Sequence, residues 1–230
     1  MFITSVRVDA PVTGFAADLP VVQALQRTPL ELAQVTALTG DNGAGKSTLI
    51  EAIAIASGAN PSGGSKHARF TAATPSAHSA LHEALTLTRR RNPRDVYFLR
   101  GDTFHQLGEY HASMPRDPLA AIPTKSHGEG ILHLARTRFS PGSLILLDEP
   151  EDGLSVLSQL ELLGLITALS RHGAQVILAT HSPVLLAAPE TRILEVPTLE
   201  PLLFDASLPT TATREFVQDP HGTAAYLVEP

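Results

Sequence analysis

The chain has 230 residues, 43% of them hydrophobic, no cysteine and a formal net charge of −6. That length and apolar fraction suit one α/β domain with a sizeable core rather than a disordered segment. The missing cysteines exclude disulfides and thiolate metal sites, and the acidic balance argues against a surface that coats nucleic acid generally. Residues 2–9 read as a first strand with Phe2, Val6 and Val8 apolar, without the charged head and long apolar run of a signal peptide. No apolar run approaches the roughly 18 residues of a membrane span, so a soluble, cytoplasmic protein is expected. Val21–Gln26, between Pro20 and Pro29, reads equally as a short helix or a strand. Val35–Thr39 reads as a buried strand and Lys46–Ala56 as an apolar-faced helix. Residues 57–79 are rich in Gly, Ala, Ser, Thr and Pro and predict a flexible loop, with Pro61-Ser62-Gly63-Gly64-Ser65 as a mobile surface stretch. Leu81–Arg90 has helical spacing, ends in a run of arginines and is stopped by Pro93. Val96–Leu99 reads as a second core strand, and residues 102–125 as irregular, broken by Pro115, Pro118 and Pro123. A helix is expected from just after Gly128 to Phe139, and a buried parallel strand at Leu144–Leu147. Val156–Leu169 reads as an amphipathic helix, Gln175–Ala179 and Arg192–Val196 as strands, and the tail holds a helix near Thr213–Val217. Strands alternating with helices imply a mainly parallel sheet flanked by helices, in a single domain spanning residues 1–230.

Two stretches carry chemistry. Gly40-Asp41-Asn42-Gly43-Ala44-Gly45-Lys46-Ser47-Thr48 matches G-x-x-x-x-G-K-S/T between a predicted strand and a predicted helix, the context this phosphate-binding loop requires. A helix N-terminus there presents free N–H groups and a positive dipole end to an anion. Asp41, Asn42, Gly43, Ala44, Gly45, Lys46, Ser47 and Thr48 are the expected nucleotide contacts, with Lys46 reaching the β- and γ-phosphates and Ser47 binding Mg²⁺. Leu144-Ile145-Leu146-Leu147-Asp148-Glu149-Pro150 ends an apolar strand in two carboxylates at the edge where open α/β sheets bind ligands. Asp148 is the second expected metal ligand, and Glu149 the residue that polarises water for in-line attack. The ten histidines show no zinc spacing, and no Asn-Lys-x-Asp motif for reading guanine is present.

With these motifs in place, the chain resembles the ABC-type ATPases. Leu147-Asp148-Glu149-Pro150 matches their Walker B with its glutamate, and Ala179-Thr180-His181-Ser182-Pro183 stands where that family places its switch histidine. Lys125-Ser126-His127-Gly128-Glu129-Gly130 stands where the family carries its signature, and the four motifs in order cover residues 40–183. Glu151 after Pro150, and Ser182-Pro183 after His181, look like the small soluble ATPases related to the RecF, SMC and overcoming-lysogenisation-defect groups rather than the transport branch. The resemblance implies a P-loop fold with an antiparallel N-terminal strand region and a small helical region bearing the signature. It also implies Mg²⁺-ATP as ligand, Lys46, Glu149 and His181 in catalysis, and an ATP-sandwiched head-to-tail homodimer. There Ser126 and Gly128 touch the γ-phosphate held by the other subunit. Further implied roles are DNA repair or maintenance, or defence; a nucleotide-gated switch and a transporter subunit are the alternatives. The pattern departs from the family at Arg100, where a glutamine is usual, at Glu129 in the signature, and at Ser155, where aspartate is common. Phe15 is a candidate adenine-stacking residue. A partner protein has room in this scheme, and DNA binding by the isolated chain is expected to be weak, since a solvated face is the better reading of the Arg89–Arg94 run.

Overall fold

The computed structural model describes residues 1–68 and 79–226. In chain order the elements are β1 (Ile3–Val8), α1 (Pro20–Arg27), β2 (Leu30–Glu31), β3 (Val35–Thr39), α2 (Lys46–Ala56), β4 (Gly64–Ser65), α3 (Leu81–Ala84), β5 (Leu85–Arg89), β6 (Val96–Arg100), α4 (Phe104–Ala112), α5 (His127–Arg138), β7 (Leu144–Asp148), α6 (Val156–Arg171), β8 (Gln175–Ala179), α7 (Pro183–Leu186), β9 (Thr191–Glu195), β10 (Glu200–Leu202), α8 (Leu208–Gln218) and α9 (Pro220–Tyr226). A seven-stranded sheet runs β10-β9-β3-β8-β7-β6-β4, and a second, antiparallel sheet runs β2-β1-β5. The five inner strands of the large sheet are parallel, while β4 and β10 close its edges antiparallel.

The inner strands are apolar throughout because both faces are covered. Their residues alternate between two cores. Leu38, Phe98, Leu144, Leu146, Ile177 and Ala179 face a layer that includes Leu49, Ile50 and Ile53 of α2. Ala37, Tyr97, Leu99, Ile145, Leu147 and Leu178 face a layer built from α4, α5 and α6, including Leu107, Leu134, Leu162 and Ile166. Register aligns the strand ends: Arg100 lies opposite Asp148, and Asp148 opposite Ala179. Because β8 and β9 flank β3 on opposite sides, the chain passes over the strand that feeds the glycine-rich loop. That places the loop at a switch in strand order, where such sheets form ligand crevices.

Several sequence expectations are corrected. The helical reading of Leu81–Arg90 holds only to Ala84; Leu-Thr-Leu-Thr-Arg alternates and is β-branched, and forms β5 against β1. The arginine run therefore follows a strand. Arg89 donates from Nη2 to the Ala56 carbonyl at 3.0 Å, and the Arg91 guanidinium lies 4.8 Å above the Phe2 ring. Residues 104–112, expected to be irregular, form α4, since all three prolines lie beyond it. Residues 62–65 are packed rather than a surface loop: Gly64 and Ser65 pair with Phe98 and Tyr97, and Thr103 Oγ1 donates to the Ser62 carbonyl at 2.8 Å. The rest of the expected loop, residues 69–78, lies outside the described residues. The helix at Val156 buries only Leu162 and Ile166 and leaves Val156, Leu157 and Leu160 exposed, so it is not cleanly amphipathic. The ambiguous 21–26 segment is helical, with Pro20 at its first turn, as proline's fixed φ favours. The tail helix is longer than expected, at Leu208–Gln218.

One side chain joins the two sheets. Gln175, fully buried at the start of β8, accepts from Phe2 N at 2.7 Å and Ile3 N at 2.9 Å. Its Nε2 donates to the carbonyls of Ile3 at 2.7 Å and Ala33 at 3.0 Å. Every donor and acceptor of the amide is used. Gln175→Leu, of similar size, strands four buried backbone groups and should lower unfolding stability by about 3 kcal/mol, measured by urea denaturation.

Candidate functional site

The glycine-rich loop leaves β3 and turns into α2 through two positions that exclude a side chain. At Gly40 (φ +144°) a Cβ would lie 2.1 Å from the Val196 carbonyl oxygen, and at Gly45 (φ +98°) it would lie 2.6 Å from Val21 Cγ1. Gly45 caps α2 in the left-handed region, and no side chain accepts from the helix's first turn. The backbone N–H groups there remain directed at whatever anion the loop holds. Lys46 is buried, and its ammonium donates to the carbonyls of Gly40 at 2.9 Å and Asp41 at 3.0 Å. Burial pulls Lys46 below the ordinary lysine pKa, opposed by Glu149, Asp148, Asp41 and Glu151.

Asp148, at the end of β7, is pushed up to about 7, first by burial and then by Glu149 and Asp102; the Ser47 hydroxyl and Arg100 work the other way. Its Oδ1 is buried without a hydrogen-bond partner. A hydroxyl and a carboxylate with an orphaned oxygen form a hard donor set that fits Mg²⁺, which takes one or two protein ligands and completes its shell with water and phosphate. Among the described residues no three His, Cys, Asp or Glu side chains cluster as a metal site.

Glu149 follows in the left-handed region (φ +47°), a conformation costing roughly 1–2 kcal/mol outside glycine, with its N–H bonded to the Ala179 carbonyl at 2.9 Å. This bend carries its carboxylate to 3.8 Å from His181 Nε2, which has no hydrogen-bond partner of its own. Glu151, which the motif reading used only as a branch marker, accepts from His181 N at 2.6 Å and so fixes the turn after β8. Burial raises its pKa, while Thr180 lowers it. Ser182 caps α7 and donates to Gln159 of α6 at 2.6 Å, and Gln159 donates in turn to the Leu154 carbonyl at 3.1 Å.

Ser47, Asp148 and Glu149 line one cleft with Arg100, Asp102 and Asp152. Ser126 and Gly128 do not line it. Ser126 caps α5 in a capping box: Glu129 accepts from Ser126 N at 3.0 Å and Oγ at 2.8 Å. A Cβ on Gly128 would lie 3.1 Å from the Gly153 carbonyl, so α5 starts against the 153–155 turn, where Ser155 caps α6. His127 packs edge-on to Phe104. Phe15 is exposed on a single 3-10 turn preceding α1, the helix whose Val21 abuts Gly45. Arg100 stands where the sequence reading placed a departure from the usual glutamine; its partner Glu51 was not expected, and a lone acid among the apolar residues of α2 was the available signal.

Parts of the chain are similar to known proteins. Residues 25–101 match a family model described as "AAA domain", and residues 130–187 match one described as "AAA domain, putative AbiEii toxin, Type IV TA system". Two separate stretches of the chain are thus similar to P-loop ATPase domains of the AAA type. It is 30% identical over 192 residues to the ribose import ATP-binding protein RbsA of Jannaschia sp. (strain CCS1), covering 74% of this chain and 37% of that one. The chain thus spans little more than a third of that relative's length. Similar solved structures include a nucleotide-free ATP-binding cassette from an ABC transporter (TM-score 0.49, 12% identity, 100% of both chains). Another is the SMC head domain from Thermotoga maritima (TM-score 0.45, 13% identity, 85% of this chain and 94% of that one). Among the described residues no helix is long and apolar enough to cross a membrane.

Two of the loop's three glycines separate space from backbone conformation. A Cβ at Gly43 (φ +78°) would meet nothing within 4 Å, whereas one at Gly40 meets a carbonyl. Gly43→Ala should cost about 1 kcal/mol and Gly40→Ala distinctly more, read as thermal midpoints of the two variants side by side.

Proposed function

We propose that the chain is an ATP hydrolase whose two copies sandwich two nucleotides head to tail, serving DNA maintenance or defence. The observation that carries this reading is convergence at one sheet edge: the buried Lys46 ammonium, the orphaned Asp148 oxygen beside Ser47, and Glu149 within 3.8 Å of His181. Lys46 meets the β- and γ-phosphates in place of its own loop carbonyls. Ser47 and Asp148 hold Mg²⁺, which when bound offsets phosphate charge. Glu149 takes the proton of a water that attacks the γ-phosphorus in line, and ADP leaves. His181 Nε2 hydrogen-bonds the transferred phosphoryl group, and the Glu151 contact keeps its backbone in place. Ser126 and the Gly128 amide, at the start of α5, serve the nucleotide of the opposite subunit. Exposed Val156, Leu157 and Leu160, near the turn that Gly128 packs against, give such a dimer apolar surface to bury. The toxin–antitoxin description of one matching family model supports a defence role.

A slow nucleotide-gated switch is favoured by one observation, Arg100 at the strand end where a water-contacting glutamine is usual. A role with a membrane partner, as the name of the ribose import relative suggests, is the other alternative. Steady-state turnover with Mg²⁺-ATP separates hydrolase from switch.

Lys46→Ala should weaken Mg²⁺-ATP binding without unfolding the chain; wild-type affinity in calorimetry refutes the site. Glu149→Gln should retain ATP binding and lower hydrolysis by roughly 10²–10⁴-fold. Unhydrolysed ATP should then trap the closed form, giving a dimer in Mg²⁺-ATP and a monomer in ADP by light scattering. Adding Ser126→Arg should abolish that dimer and leave single-chain binding intact. A monomeric Glu149→Gln at saturating ATP contradicts the sandwich.

A further inference from the structure

The cleft of about 180 Å³ at the end of β7 holds an electrostatic imbalance. Asp102, Asp148, Glu149 and Asp152 line it, with the Ser47 hydroxyl and one cation, the Arg100 guanidinium. Arg100 ends β6 directly across from Asp148, and only 7% of its side chain is exposed. Its two carboxylate partners differ. Glu51, on the helix that begins with Lys46, is 11% exposed and forms an ion pair with Nη1. Asp102 accepts from Nε at 2.9 Å and from Nη2 at 2.8 Å, yet its side chain is 55% exposed. Of these two carboxylates one is a buried anchor and the other faces solvent, the latter held in the two-point geometry that phosphate oxygens also accept.

We propose that Arg100 reads the terminal phosphate in cis: a nucleoside triphosphate replaces Asp102 on the Nε–Nη2 edge, while Glu51 keeps the guanidinium in place. This deepens the proposed nucleotide site and rests on it. The exchange favours triphosphate over diphosphate for two reasons. A triphosphate held by Lys46 and Ser47 would bring its γ-phosphoryl group nearest the cleft that Ser47 lines, and a doubly charged group competes for guanidinium better than a hydrated carboxylate does. The Arg100 hydrogen bonds hold Asp102 below the ordinary carboxylate range, so at neutral pH Asp102 is the anion to be displaced. Its release also frees the turn that leads directly into α4, so the same exchange marks the triphosphate state on the helical layer.

The test compares Mg²⁺-ATP with Mg²⁺-ADP dissociation constants by calorimetry for the full chain. Asp102→Asn removes the competing charge at an exposed position, so it should raise the preference for ATP over ADP severalfold. Arg100→Gln should lower that preference by roughly tenfold, the size of one charge-assisted hydrogen bond, with ADP affinity within about twofold of wild type. Opposite movement of the ratio in the two variants supports the assignment. An unchanged ratio in both overturns it and leaves Arg100 as a structural strut. Should Arg100→Gln not fold, because Glu51 loses its partner, the Asp102→Asn ratio alone decides. Absence of wild-type binding to either nucleotide overturns the nucleotide site and this proposal together.

Discussion

Concentrated negative charge at the carboxyl end of one buried strand governs this molecule. Asp148 lies in a low-dielectric setting with Glu149 next to it and Asp102 and Asp152 across the cleft. Like charges in such surroundings repel strongly, and burial makes ionisation of Asp148 costly in its own right. Lys46 and Arg100 offset part of this, each tied to protein oxygens. The site is therefore organised around cations it does not itself supply in sufficient number. Such an edge suits the proposed ligand, a metal-bound polyphosphate that would bring its own positive charge.

The chain's local oddities follow from the same edge. Left-handed Glu149 is tolerated because its N–H is locked to Ala179 on the neighbouring strand, and the bend turns its carboxylate towards His181. Glu151 then secures the backbone of His181, and the Ser182–Gln159–Leu154 chain ties the turn after β8 to the turn before α6. Two segments thirty residues apart in sequence are thus joined by several hydrogen bonds, each weak singly.

The glycine-rich loop and the Asp-Glu pair were legible because each combines a rigid residue pattern with an unmistakable flanking element: Val35–Thr39, Lys46–Ala56 and Leu144–Leu147 are apolar runs of the right length. Harder to read were elements decided by tertiary partners. Leu-Thr-Leu-Thr-Arg continues a helical spacing until β1 offers it a pairing edge. Gly63 and Gly64 look like linker residues, but they let the chain pass close to β6, where a Cβ on Gly64 would press on Leu107 at 3.2 Å. Glu51 and Arg100 gain meaning only as a pair, because a separation of 49 positions in sequence hides their contact. Ser126, read as a phosphate contact across a dimer, is in this chain a conventional helix cap.

Gln175 sets an order of events as well as a structure. The small antiparallel sheet can pair once residues 3–89 are available, since β1, β2 and β5 all lie within them. Its seat on the large sheet, however, is an amide 172 residues further along. Contacts of such separation are made late, after their loop-closure entropy has been met by nearer ones. During synthesis Phe2, Ile3 and Val6 can pack early against α1 and α2, but the hydrogen bonds that tie Phe2 and Ile3 to the large sheet must wait for β8 to arrive. Chains halted before that strand would carry a finished sheet whose Phe2 and Ile3 backbone groups lack their Gln175 partner, which is the kind of incomplete species that chaperones and proteases recognise.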